Sequence, residues 1–261
     1  MNELAQRFGA TYFDLVRSAG QIVFLFLDIV HCIFTYPLRM KLLMQQILFI
    51  GVRSQSIVLI TGGFTGAVFA AQTQFHFSEL GMSSATGPVV TIAMLRELAP
   101  VLTALMISGR VGSAMAAELS TMKITEQIDA LRALAVYPTQ YLIVPRFLAI
   151  LISMPILVAI SSAMGILAGY IVAVPIMGVE GSFYYNSMIN FASTKDVWIG
   201  LIKGELFGLI IVLIACHKGL NAGHGAVGVG QATTDAAVHA SVICLISNFF
   251  LTFMLNIFFN S

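Results

Sequence analysis

The sequence predicts an all-α integral membrane protein with five transmembrane helices, preceded by interfacial, elbow-type helices. Hydrophobic residues make up 58% of the 261 residues and charged residues 10%, against about 45–50% and 25% in soluble proteins. Five apolar segments are long enough to cross a bilayer. Lys and Arg are concentrated in the connections on one side of those segments. We expect one domain, with residues 1–55 forming interfacial and connecting helices and residues 56–259 forming the membrane core.

The N-terminal segment Gln21–Tyr36 is apolar but short, and Asp28 and His31 interrupt it. These features predict an amphipathic helix at the membrane interface, followed by a second one through Arg39–Arg53. The alternative is a sixth span, which would move the N-terminus to the other side of the membrane. The first twenty residues lack the features of a cleavable signal peptide, so we expect insertion to depend on the internal spans.

Five spans follow, each supplying about 28 Å or more at a rise of about 1.5 Å per residue. The third is longer than a bilayer requires and contains Pro155 and Pro175, which predict a kink or a frayed end. The predicted spans are Ser56–Phe77, Pro88–Gly109, Phe147–Met177, Trp198–Cys216 and Ala236–Phe259.

The placement of Lys and Arg predicts the orientation. Ten of these residues lie before the first span, between the second and third, or after the fourth, whereas Lys195 alone lies on the opposite side. The positive-inside rule therefore places the N-terminus in the cytoplasm and the C-terminus outside.

Small residues recur at every fourth position in three of the spans. Such ridges let helix backbones approach closely in lipid, so we expect tight helix contacts. The pattern leaves open whether these contacts lie within one subunit or across a dimer. The ridges are Gly62, Gly66 and Ala70, then Gly165, Gly169 and Ala173, then Gly200, Gly204 and Gly208.

Charged residues lie inside two of the spans: Arg96 and Glu97 in the second, Lys203 and Glu205 in the fourth. Each Arg or Lys at a helix centre costs roughly 2.5–3.5 kcal/mol, so these groups should face one another or a polar cavity. One interpretation is a polar patch for an anionic or zwitterionic ligand, or a gating ion-pair network. The other is a Glu97–Lys203 pair that locks two helices together. Lys203 and Glu205 are about 200° apart on a helix and should face different neighbours.

The connection between the second and third spans contains apolar residues at helical spacing from Leu119 to Val136. We expect one amphipathic helix there, ended by Tyr137 and Pro138. It would dock a soluble partner or lie on the membrane surface.

Several functional classes are disfavoured by what the sequence lacks. It contains no P-loop, no H-E-x-x-H and no G-x-S-x-G motif, and no nucleophile–base pair stands out. Residues 223–228 match G-x-G-x-x-G but follow a membrane span, so we expect a loop that enters the fifth span through Thr233, Thr234 and Asp235. The net charge of +1 makes nucleic acid an unexpected partner. Three isolated cysteines lack metal-ligand spacing, and we expect no disulfide and no metal site: Cys32, Cys216 and Cys244.

A series of motifs occurs in order along the chain. The motifs are Leu95-Arg96-Glu97-Leu98-Ala99-Pro100-Val101, Gly109-Arg110-Val111-Gly112-Ser113-Ala114, Ala117-Glu118, Glu126-Gln127-Ile128-Asp129-Ala130-Leu131, Val144-Pro145-Arg146 and Gly228-Val229-Gly230-Gln231-Ala232-Thr233-Thr234. With these motifs, the chain from about residue 45 onward resembles the MlaE/YrbE family of ABC transporter permeases, which work with MCE-domain proteins. Tyr137 departs from the family, which often has an acidic residue before the proline.

This resemblance implies a homodimer in a bacterial inner membrane, multi-pass, with the C-terminus in the periplasm. It implies two cytoplasmic ABC ATPase subunits that use the ATP, so that this chain is not an enzyme and needs no cofactor. It also implies a hexameric periplasmic ring of MCE subunits and a small STAS-type accessory subunit. The implied cargo is phospholipid, moved between inner and outer membranes to maintain outer-membrane asymmetry. Sterols or other hydrophobes, and the direction of transport, are left open.

The resemblance, together with the charges inside the spans and the helical pattern of the connection, suggests residue roles. Arg96, Glu97, Lys203 and Glu205 are the expected substrate-binding residues. Two functions of other classes remain as alternatives: an ion-coupled transporter or channel in which Glu97 and Glu205 carry protons, and a non-transporting anchor for an MCE ring. The expected ATPase-coupling residues are Glu118, Lys123, Glu126, Gln127, Leu131 and Arg132.

Overall fold

The structure is a computed structural model that describes the backbone of residues 2–260 and the side chains of residues 16–83 and 85–259. Within that range the chain forms helices and no β-strand, which confirms the predicted all-α membrane class. The α-helices are α1 (Asn2–Thr35), α2 (Met40–Ile50), α3 (Gln55–Glu79), α4 (Thr86–Ala93), α5 (Ala99–Ile107), α6 (Ser113–Ile124), α7 (Gln127–Ala133), α8 (Val144–Ile171), α9 (Gly181–Phe191), α10 (Thr194–Leu220) and α11 (Gly225–Asn260).

Six helical segments of the described residues are long and apolar enough to cross a membrane. Each of the five predicted spans coincides with one of them, and the sixth lies in α1. Some of these segments include more than one helix, because short 3₁₀ or π-helical turns join neighbouring helices end to end. The segments are Val16–Thr35, Met40–Glu79, Thr86–Ile124, Thr139–Ile176, Thr194–Leu220 and Gly225–Phe259.

The second span is longer than predicted because two π-helical turns, Met94–Leu98 and Ser108–Gly112, join α4, α5 and α6 into one segment. A π-helical turn contains one extra residue and changes which side of the helix the following residues face. The third span is helical through Pro155, and Pro175 lies in the π-helical turn Val172–Ile176 that ends it.

The small-residue ridges make close helix contacts within this chain. A Cβ added to Gly66 of α3 would collide with the carbonyl oxygen of Gly165 in α8. One added to Gly204 of α10 would lie 2.7 Å from the Cγ2 atom of Val158 in α8. The predicted close helix contacts are therefore confirmed, with α8 packed between α3 and α10.

The N-terminal helix α1 is one helix from Asn2 to Thr35, longer than the predicted interfacial segment. Its Phe26 ring lies 6.2 Å from that of Phe147, at the start of α8, and Asp28 bonds to residues just before α8. These contacts lie at the end of the bundle that also contains α7 and residues 217–222, which we call the α7 end. An interfacial helix across this end fits the contacts, and a sixth span stays the alternative.

A helix lies where the second interfacial helix was predicted, through Arg39–Arg53: α2 covers Met40–Ile50. A short 3₁₀ turn, Val52–Ser54, connects α2 to α3, and by length and composition Met40–Glu79 is one apolar helical segment. At that turn, a Cβ added to Gly51 would lie 3.0 Å from the hydroxyl of Ser153 in α8.

The prediction of one amphipathic helix over Leu119–Val136 was wrong. Helix α6 ends at Ile124 and α7 begins at Gln127, with Glu126 in the left-handed conformation at φ 59°. The Thr125 hydroxyl donates to the carbonyl of Thr121 at 2.8 Å, and the amide of Glu126 donates to the carbonyl of Lys123. These local bonds satisfy backbone carbonyl groups at the end of α6, and the helix stops there.

The predicted loop that enters the fifth span through Thr233, Thr234 and Asp235 was also wrong, because these residues are helical and α11 begins at Gly225. Gly225 has φ 72°, and a Cβ added to Gly228 would collide with the carbonyl of Gly223, so glycines make the turn. The Thr233 hydroxyl donates to a carbonyl one turn back, inside the helix.

Candidate functional site

The side chains of Lys203 and Glu97 meet inside the bundle. Lys203, on α10, is fully buried, and its Nζ donates to Glu97 Oε1 at 2.7 Å and to the Thr252 hydroxyl at 2.8 Å. Glu97 lies in the π-helical turn Met94–Leu98, and Thr252 lies on α11. The predicted Glu97–Lys203 pair is therefore present, and it joins three helical segments.

The carboxylate of Glu97 has further partners on α11. The Nδ2 of Asn248 donates to Glu97 Oε2 at 3.1 Å, and the Thr252 hydroxyl lies 3.1 Å from Oε1. Opposite charge and several hydrogen bonds offset the cost of removing the two ions from water. The Glu97 side chain stays 36% exposed, so this end of the pair is accessible from outside the bundle.

Arg96 forms a second ion pair beside the first. Its Nε donates to Asp196 Oδ1 at 2.5 Å and its Nη1 to Asn256 Oδ1 at 2.9 Å. Asp196 is buried near the N-terminus of α10, where its other oxygen accepts a hydrogen bond from the amide of Ser193. The side chain of Arg96 is 28% exposed. The neighbours Arg96 and Glu97 thus bind residues two turns apart along α10.

Four of these partners were not found from the sequence. Asn248, Thr252 and Asn256 recur at every fourth position of α11, a spacing that puts polar groups on one face of an apolar helix and could have revealed them. Asp196 lies just before the predicted span. Its spacing from Ser193 is that of a capping box. That spacing predicts its role at the helix start but does not predict its ion pair with Arg96.

Glu205 does not join this network. It lies on another side of α10 from Lys203, as the helical angle predicts. Its Oε2 atom is buried and has no hydrogen-bond partner among the described residues.

The expected ATPase-coupling residues lie at the α7 end. Glu118 accepts from the Nη2 of buried Arg146 at 2.7 Å, which ties α6 to the start of α8. The Nζ of Lys123 donates to the carbonyl of Ala222 at 2.9 Å, which ties α6 to the end of α10.

The rest of this group is on or beside α7. Arg132 pairs with Asp129 at 2.9 Å on the exposed face. Gln127 and Glu126 are exposed at the start of the helix, and Leu131 packs against the core. The predicted coupling residues therefore present a mixed-charge surface at one end of the molecule.

The segment between α7 and α8 is fastened to α1. The Tyr137 hydroxyl donates to Asp28 Oδ1 at 2.9 Å, and the Thr139 hydroxyl donates to Oδ2 at 2.7 Å. The ring of Tyr137 also stacks on that of Tyr36, with centroids 6.0 Å apart. The hydrogen bond to Asp28, with burial, raises the pKa of Tyr137, so its hydroxyl stays protonated as a donor.

Comparison with known proteins connects this arrangement to one family. A family model described as Permease MlaE matches residues 43–254. A probable ABC transporter permease protein of Rickettsia felis is 40% identical over 249 residues, which is 95% of this chain and 96% of the relative. A probable ABC transporter permease protein of Synechocystis is 42% identical over 212 residues, 81% of each chain.

A further relative has a more specific description. It is the intermembrane phospholipid transport system permease protein MlaE of Haemophilus influenzae, 39% identical over 212 residues, again 81% of each chain.

Proposed function

The chain belongs to the MlaE family of ABC transporter permeases, and we propose that it moves phospholipids between the inner and outer membranes of a Gram-negative envelope. In doing so it would maintain the lipid asymmetry of the outer membrane. The phospholipid cargo is supported by the described activity of the Haemophilus influenzae relative.

The observation that carries this proposal is the charged network of Glu97, Lys203, Arg96 and Asp196 within apolar segments. Each ion has a partner, yet Arg96 and Glu97 stay partly exposed. An exposed guanidinium can bind a phosphate, and an exposed carboxylate can bind the amine of a zwitterionic headgroup. The apolar face of α11, with Phe249 and Phe253 exposed, would contact the acyl chains.

The assembly we propose contains two copies of this chain in the inner membrane, two cytoplasmic ATPase subunits at the α7 end and a periplasmic MCE ring at the other end. A small STAS-type subunit would complete it. ATP hydrolysis belongs to the ATPase subunits. The mixed-charge surface of α6 and α7 supports a soluble partner at the α7 end.

Helix α10 would carry motion from the ATPases to the network. At the α7 end it is tied to α6 by the bond between Lys123 and the carbonyl of Ala222, and a Cβ added to Gly219 would lie 2.7 Å from Leu119 Cβ. Lys203 lies on the same helix, about 24 Å from Gly219. A displacement of α6 by ATP binding would therefore shift Lys203 relative to Glu97 and change the affinity for a headgroup.

A charge reversal tests the proposal. In cells lacking the native gene product, Lys203→Glu should abolish the maintenance of outer-membrane asymmetry, measured as phospholipid in the outer leaflet. Native mass spectrometry should still show the intact complex, with less lipid bound. Lys195→Glu is the matched control, because Lys195 is on the same helix but exposed, and its Nζ bonds to the carbonyl of Phe259. Full transport by a variant with Arg96→Leu and Lys203→Leu would exclude the network as a transport site and leave its ion pairs only a structural role.

The unpaired carboxyl oxygen of Glu205 favours a second candidate, an ion-coupled transporter. Lipid movement that continues without the partner ATPase but stops with Glu205→Gln would support this candidate. Transport that requires the ATPase and tolerates Glu205→Gln would reject it.

A further inference from the structure

Three side chains with different ligand atoms lie together on α1. Asp28, His31 and Cys32 occupy positions three and four residues apart, which share one face of a helix. A carboxylate oxygen, a ring nitrogen and the sulfur of these residues all lie within 4.8 Å of one another. Ligand atoms of a tetrahedral zinc site are roughly 3.3–3.8 Å apart, given bonds of about 2.0–2.3 Å, so small side-chain rotations would bring the three onto one ion.

The carboxylate of Asp28 is already oriented by groups outside α1. The hydroxyls of Tyr137 and Thr139 donate to its two oxygens at 2.9 and 2.7 Å. Each carboxylate oxygen can accept more than one bond, so a lone pair remains for a cation. Carboxylates that bind metals are commonly hydrogen-bonded in this way.

The other two ligands also suit a metal. The Nε2 of His31 lies 3.3 Å from the Thr35 hydroxyl, which leaves Nδ1 for coordination. A hydrogen bond on the second ring nitrogen is the usual arrangement for a metal-binding histidine. His31 is exposed and Cys32 is buried, so an ion could enter from the water and reach a sulfur that is protected from solvent.

The local charge favours a cation. Among the described side chains, Asp28 has no ion pair with Lys or Arg. Arg39 lines a cavity together with Cys32, but its guanidinium lies over the Tyr141 ring, 4.9 Å from the centroid. A thiolate at Cys32 beside the Asp28 carboxylate would leave negative charge that a divalent ion neutralises.

From this arrangement we propose that Asp28, His31 and Cys32, the α1 site, bind one divalent transition-metal cation of the Zn²⁺ class, with water as the fourth ligand. The mixture of sulfur, nitrogen and oxygen excludes Mg²⁺ and Ca²⁺, which prefer oxygen alone. The expectation of no metal site came from the spacing of the cysteines with one another, whereas this set combines one cysteine with neighbours of other types. Through Asp28, the ion would also strengthen the connection between α1 and the segment before α8.

Cobalt binding tests the site. The full chain, purified in detergent and treated with a chelator, is titrated with Co²⁺ under reducing conditions. We expect a thiolate-to-cobalt charge-transfer band that saturates at a single ion per chain and disappears when Zn²⁺ is added. Cys32→Ala should remove the band. Cys244→Ala is the matched control, since Cys244 is also buried but lies on α11 without such neighbours, and it should keep the band.

Two further variants keep the test decisive. His31→Ala changes an exposed side chain, so it should leave folding intact while the band is lost or shifted. Tyr137→Phe removes one hydrogen bond to Asp28 and should weaken cobalt binding by roughly 10–100-fold. A band that survives Cys32→Ala, or the absence of any thiolate–cobalt band in the unmodified chain, would overturn the α1 site.

Discussion

At the scale of single residues, the Glu97–Lys203 contact explains how a fully buried lysine is tolerated. The ammonium has a carboxylate at 2.7 Å and a hydroxyl at 2.8 Å. Removing one ion of such a pair leaves the other buried without compensation, which costs about 3–5 kcal/mol, whereas replacing both ions is often neutral. Stability and transport can therefore be separated by choosing single or double substitutions.

We predict that Lys203→Met alone destabilises the purified protein, by less than the roughly 3–5 kcal/mol of a fully buried pair, because Glu97 loses its cation but stays 36% exposed. Adding Glu97→Gln should restore most of that stability, since the amide still bonds Thr252 and Asn248. Thermal unfolding in detergent measures both variants. Transport should be lost in the double variant, because the exposed carboxylate that would bind a headgroup amine is gone, and in the single variant, because Lys203 no longer holds Glu97 in place.

The double variant separates two interpretations of the pair. If it regains stability and also transports lipid normally, the pair only joins helices. If it regains stability and transports nothing, the charges serve the cargo.

The sequence identified three residues of this network and missed four. Arg96, Glu97 and Lys203 stand out because ions within apolar segments are rare. Their partners are polar residues whose roles depend on which helices become neighbours: Asp196, Asn248, Thr252 and Asn256. Those neighbours are set by tertiary packing between segments a hundred or more residues apart in sequence, so the sequence pattern could not reveal them.

At the scale of helices, glycine determines how closely α3 and α8 approach. The atom that a Gly66 side chain would meet is the backbone carbonyl of Gly165, which cannot rotate away. The two helices would have to separate along their length.

We predict that Gly66→Ala lowers the thermal stability of the chain despite the higher helix propensity of alanine, which alone favours Ala by about 1 kcal/mol. Gly230→Ala is the control, because a Cβ at Gly230 of α11 has no atom within 4 Å. The control should be neutral or stabilising in the same unfolding measurement. Equal stability of the two variants would contradict the close packing described for α3 and α8.

Helix positions in the membrane were predictable, and their ends were less so. Long apolar runs located the five spans, since lipid demands a minimum length. The break between α6 and α7 depends on local bonds at Thr125 and a left-handed Glu126, which periodicity does not report. The early start of α11 depends on the close contact of Gly223 and Gly228.

At the scale of the whole molecule, the sequence left open whether the chain crosses the membrane five or six times. Helix α1 is long enough to be the sixth. Its contacts with Phe147, Tyr137 and Thr139 lie at the α7 end, which fits a helix across the bundle. Composition predicted the membrane class, but length and hydropathy alone could not distinguish a helix in the interface from one that spans.

Thiol labelling tests this topology. In a variant with the native cysteines replaced by alanine, Ser18→Cys on α1 should react with a membrane-impermeant maleimide only after the inner membrane is permeabilised. Lys195→Cys, at the opposite end, should react in intact spheroplasts. We expect this pattern because five spans place α1 on the cytoplasmic side. Labelling of both positions in intact spheroplasts would establish the six-span arrangement.

Asp196 has two partners at once: the Ser193 amide, where it caps α10, and the guanidinium of Arg96. A substitution there that loosened Arg96 would also fray the first turn of the helix that carries Lys203. Evolution of new cargo preferences is thereby restricted at this position, because a useful change needs a second, compensating mutation. Laboratory selection for altered lipids should accordingly find its first successes on α11, at Asn248 or Asn256, whose amides can be exchanged without disturbing a helix terminus.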